Sequence, residues 1–99
     1  MQEIWFVKII SMLVHNWATI SEAQGISTIY FVDDHGNLFD HLDYENADIA
    51  KEKLLHNGFR LLDLDDLDDR FSRICPRKVL HEAPMVHRQV YSSGEYGEW

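Results

Sequence analysis

The run from Ile4 to Val14 (IWFVKIISMLV) constrains this chain more than any other segment. Its side chains are apolar on both alternating faces. Ile4, Phe6, Ile10, Met12 and Val14 fall on one, and Trp5, Val7, Ile9 and Leu13 on the other. A strand covered on both sides reads as such a near-continuous apolar run. A fully buried helix is the rival reading, because periodicity does not separate the two. The β-branched and aromatic content favours a central strand. Lys8, Ser11, His15 and Asn16 break the run well short of the ~20 apolar residues of a membrane-spanning helix. Glu3 precedes it where a signal peptide carries positive charge. The expectation is therefore core, not anchor or leader.

The clearest local signals follow it. Trp17 to Ile20 extends the sheet and Gln24-Gly25 reads as a turn. Ser27 to Val32 and Leu38 to Tyr44 are strands joined by Asp33-Asp34-His35-Gly36-Asn37, a β-hairpin with Gly36 available for positive φ. Asn46 stands at an N-cap position, Asp48 lies in the following turn, and Asn57-Gly58 ends the pattern, which predicts a helix over 47–57. Phe59 to Leu62 enters another strand. Leu64, Leu67, Phe71 and Ile74 then form an apolar stripe at helical spacing. This predicts a second helix opened by the acidic run, capped by Asp63 or Asp65, and ended by Pro76. Arg70 and Arg73 stand four residues after Asp66 and Asp69, at ion-pair spacing. Val79-Leu80 and Met85 to Tyr91 read as short strands broken at Pro84, and residues 92–99 as a mobile tail.

These elements make a single α+β domain over residues 1–91. The expected architecture is a mostly antiparallel sheet of four to six strands with two helices packed on one face. A chain of 99 residues, 45% hydrophobic with 12% aromatic content, suffices for such a core without disulfides. The single Cys75, between Ile74 and Pro76, reads as a buried inert thiol and fits a cytoplasmic setting.

Charge narrows the function. Asp and Glu number 17 against 9 Lys and Arg, for a net charge of -8. Such a surface repels nucleic-acid phosphates and anionic membranes. No nucleotide-binding glycine loop, nucleophile elbow, zinc pattern or EF-hand spacing is present. No catalytic residue, metal site or cofactor is assigned.

Two constellations invite a functional reading. The acids Asp65, Asp66, Asp68 and Asp69, with Asp33 and Asp34 of the hairpin turn, form a candidate surface for a more basic protein, as in an inhibitor, immunity protein or adaptor. Asp40, placed among Leu38, Leu42 and Tyr44, is a carboxylate on an apolar strand face. With His35 or His41 it is the alternative, a small enzyme or metal-dependent site. Turn chemistry and a solvated strand face account for the hairpin acids without any site, and that reading is preferred. A homodimer joined through the apolar 4–14 segment is the third reading.

Overall fold

The computed structural model describes residues 4–66 and 68–81. Strands β1 (Trp5–Ser11), β2 (Val14–Ala23), β3 (Ile26–Val32), β4 (Leu38–Tyr44) and β5 (Arg60–Leu61) form one antiparallel sheet. Helix α1 (Ala47–His56) precedes β5, and a short α2 (Arg70–Ile74) follows it. The sheet order is β4-β3-β2-β1-β5. This is the α+β class read from sequence. The expected strands at Met85 to Tyr91 and the tail lie outside the described residues.

The apolar run 4–14 is strand, but not one strand. Trp5, Phe6 and Val7 are buried on alternate faces, as a covered interior strand requires. Met12 and Leu13 then turn the chain back, with Ser11 paired to Val14. Neither turn residue has positive φ. The ladder takes up the misfit with a bulge at Ile10, which falls between the Ile9–His15 and Ser11–Val14 pairs. The next hairpin is tighter. Gln24 and Gly25 both adopt positive φ (53° and 79°), the two-residue geometry that matches strand twist.

Alternation divides the core in two. Phe6, Ala18, Ile29 and Phe31 point to one face and pack under Ala50 and Leu54 of α1 and Phe59. Trp5, Val7, Trp17 and Val32 point to the other and pack with Leu62, Phe71 and Cys75. The two helices are thus shared between the faces instead of gathered on one. Cys75 is buried within the second cluster.

α1 is built as its sequence implies. The Asn46 side chain accepts the Ile49 N–H at 2.9 Å. At the other end Gly58, at φ 90°, lets its own N–H reach the Leu55 carbonyl and the Phe59 N–H reach that of Leu54. This paired arrangement is a Schellman stop.

The acidic segment departs from expectation. It opens no long helix. The Asp63 carboxylate accepts the Asp65 N–H, and the Asp66 carboxylate accepts the Asp68 N–H, both at 3.0 Å. Backbone bonds from Asp66 to Asp63, Asp69 to Asp66 and Ser72 to Asp69 stack three turns in succession. Aspartates that bond their own neighbouring amides compete with helix formation. Helix begins only where Asp69 caps it, accepting the Phe71 N–H at 2.9 Å. Asp69 also meets Arg60 at 3.4 Å, not Arg73, and Arg70 lies over the Phe71 ring at 5.0 Å.

Replacing Asp69 by Ala should cost about 1 kcal/mol in urea unfolding, the usual loss for an N-cap. Asp65→Ala should stay within about 0.5 kcal/mol, as exposed substitutions do. Equal losses at both positions would instead indicate a helix beginning at the front of the acidic run.

Candidate functional site

Antiparallel connection brings two turns to the same end of the sheet: Met12-Leu13 between β1 and β2, and residues 33–37 between β3 and β4. The second is held by Asp33. Its carboxylate accepts the His35 and Asn37 N–H groups at 2.8 and 2.9 Å and the Asn37 side-chain amide at 3.0 Å. Gly36, at φ 85°, sits under Lys78, whose side chain would lie 2.6 Å from any added Cβ.

Asp34 ties the two turns together. One carboxylate oxygen lies 2.9 Å from both Trp17 Nε1 and His15 Nδ1; the other accepts the His15 backbone N–H at 3.1 Å. Burial pushes the Asp34 carboxyl pKa up. The bonds from Trp17 and His15 pull it down by more, leaving it below its usual 3.8. An ionised carboxylate only accepts, so His15 Nδ1 carries the proton. The imidazole packs between Trp17 and Phe71, with ring centroids at 5.7 and 5.6 Å. Its Nε2 is shut off from solvent. The pair therefore joins the two turns through a buried imidazole and a half-buried carboxylate.

Asp34 also steadies what projects beyond it. The β2–β3 ladder ends at Trp17–Val32, and β5 pairs only with Phe6 and Val7. From Ile9 to Val14 the hairpin runs past its neighbours as a two-stranded arm. Its tip is apolar and exposed: Met12 by 84%, Leu13 by 81% and Ile9 by 59%. The sequence reading placed these side chains in the core. The apolar run itself was the only signal, and it gave no sign that the sheet would stop short of the run's end.

The six sequence-derived surface acids fall into two groups. Asp33, Asp34 and Asp69 are engaged within the fold, as turn organiser, turn tie and helix cap. Asp65, Asp66 and Asp68 are exposed. Asp63 and Asp65 line a hollow shared with Ile4, Leu62, Lys51 and Arg77. The acids of the hairpin turn and those of the acidic run are not one patch: the acidic turns begin beside Ile4, at the opposite end of β1 from the Asp34 turn.

The hairpin carboxylate and histidines do not converge. A bulge at Phe39 breaks the alternation and brings Asp40 to the Phe39 side, so Asp40 shares a face with Leu42 and Tyr44 but not Leu38. Its carboxylate accepts the His41 N–H at 2.8 Å. His41 packs edge-on to Tyr30 at 6.4 Å, and His81 does the same at 5.1 Å. His35 is exposed at the turn. Among the described residues no group of three or more His, Cys, Asp or Glu is arranged to hold a metal ion. No helix among them is long and apolar enough to cross a membrane.

Asp34→Asn should lower stability at neutral pH, because the neutral amide weakens the bonds to His15 and Trp17. A carboxylate whose folded pKa is depressed stabilises fully above its unfolded pKa and loses that contribution as pH falls through the folded value. The gap in urea midpoint between wild type and variant should hold above pH 3.8 and close progressively below it. A gap unchanged through that range would show that the ionised carboxylate is not the tie.

No family model matches the chain, and neither does any curated protein or any solved structure.

Proposed function

We propose that this domain is a small acidic protein-binding module, of the inhibitor, immunity or adaptor type, that recognises a more basic protein in the cytoplasm. The observation that supports it is the presentation of Asp65, Asp66 and Asp68 on consecutive turns, exposed, on a chain of net charge -8. A helix would have spread these charges around its axis. Turns pinned by Asp63 and Asp66 hold them on a short, fixed loop. Fixed charge of one sign speeds encounter with an oppositely charged surface and excludes like-charged competitors. The buried, lone Cys75 suits a reducing compartment.

An enzyme reading draws no comparable support. Asp40, His35 and His41 face different surroundings, and His15 Nε2 is buried.

Gentle capture of the protein from its own cells, followed by native mass spectrometry, should yield a basic protein at fixed stoichiometry. With that partner in hand, the double reversal Asp65→Lys and Asp68→Lys should slow association about tenfold at low salt and much less at high salt. An unchanged rate rejects these acids as the steering surface. A bare monomer or a homodimer in the native spectrum rejects the module reading itself.

A further inference from the structure

We propose that the hollow at the β5 edge of the sheet, where α1 meets the acidic turns, binds a small zwitterion with an apolar body, an apolar amino acid or dipeptide. This site is separate from the protein-binding surface, except that Asp65 borders both.

The hollow lies at a seam. α1 covers one face of the sheet and residues 62–79 cover the other, and the two covers meet beside β5, the edge strand. Lys51 comes from α1, while Asp63, Asp65 and Arg77 come from the opposite cover. Ile4, Leu61 and Leu64 supply apolar wall between them. At about 410 Å³ the hollow falls within the roughly 300–1,000 Å³ of small-molecule sites.

Its charges are balanced and do not pair with one another. Two carboxylates and two cations line one hollow, yet among the described residues none of the four forms an ion pair within 4.0 Å. Other bonds hold them. Arg77 has a left-handed backbone, φ 53°, which side chains of its kind rarely adopt. Such strain persists where the surroundings enforce it, and it gathers at ligand sites. One guanidinium nitrogen of Arg77 donates to the Leu64 and Ser72 carbonyls, both at 3.3 Å. A guanidinium has five N–H groups, so donors remain for a ligand. The Asp63 carboxylate accepts the Asp65 N–H through one oxygen, which leaves the second as an acceptor.

This lining selects the occupant. A bare anion such as phosphate would meet Asp63 and Asp65, and a bare amine would meet Lys51 and Arg77. An uncharged apolar molecule would strip water from charged groups without replacing its bonds. A zwitterion sets its ammonium on the carboxylates and its carboxylate on Arg77 and Lys51, both through charge-assisted bonds. Its apolar body then covers Ile4, Leu61 and Leu64.

The test is two-dimensional NMR of the ¹⁵N-labelled full chain titrated with leucine and with leucyl-leucine. Amide shifts should saturate and should centre on residues 61–65 and Lys51. N-acetyl-leucine lacks the ammonium and leucinamide lacks the carboxylate, so each should bind at least about tenfold more weakly than leucine. Lys51→Gln should weaken leucine about tenfold and leave leucinamide unchanged; Asp65→Asn should weaken leucine similarly and leave N-acetyl-leucine unchanged. Among the described residues neither side chain makes a hydrogen bond or ion pair, so both variants should keep the wild-type spectrum elsewhere. Tighter binding of the dipeptide would identify a peptide as the occupant, and tighter binding of leucine the free amino acid. Absence of saturable shifts with both probes up to about 10 mM would overturn the proposal. So would shifts centred elsewhere, variants that bind leucine as wild type does, or leucinamide or N-acetyl-leucine binding as tightly as leucine.

Discussion

Everything in this fold follows from three adjacent strands that are apolar on both faces. Phe6, Ala18 and Phe31 look one way, and Trp5, Trp17 and Val32 the other. Such a centre must be covered twice or it exposes Trp and Phe rings to water, at about 25 cal/mol for each Å² left uncovered. One face takes α1, an ordinary amphipathic cover. The other takes the irregular stretch from Leu62 through Phe71 and Cys75 to Val79. Assigning both helices to one face would have left Trp5 and Trp17 bare.

Covering a sheet with turns in place of a long helix has a backbone cost, since each amide in a non-helical cover needs its own acceptor. The aspartates of residues 63–69 supply those acceptors. Asp63, Asp66 and Asp69 recur every third residue, each bonding an amide two positions on, and Ser72 continues the series by donating to the Asp66 and Asp69 carbonyls at 2.6 and 2.7 Å. The acidity of the segment is therefore partly architectural. What remains for recognition is the set of carboxylates that organise nothing else, and Asp65 and Asp68 are the clearest of these.

How much of this was legible depended on whether the signal was local. Asn46, Asn57-Gly58, Gln24-Gly25 and the Asp33–Asn37 turn act on their own neighbours, and each was read correctly. The acidic stretch was misread because two local rules compete there. Leu64, Phe71 and Ile74 carry the helical period, while aspartates at every third position favour turns. Period-three Asp was the available signal, and it outweighed the apolar stripe. The Asp34–His15–Trp17 tie joins residues 17 to 19 apart in sequence and has no local signature at all. Asp34 looked like a solvated turn acid, because nothing in its own segment indicates what lies across the sheet end.

That tie also explains why an exposed apolar arm can exist without collapsing. A free hairpin tip carrying Ile9, Met12 and Leu13 gains by folding back onto any apolar surface within reach. Here the base of the arm is committed. His15 is clamped through its backbone and its ring, Trp17 is held by the same carboxylate, and Phe71 closes against the imidazole. Bending the arm toward the sheet would break charge-assisted bonds in a partly buried setting, where each is stronger than its equivalent in water. The polar cluster thus holds the apolar tip outward.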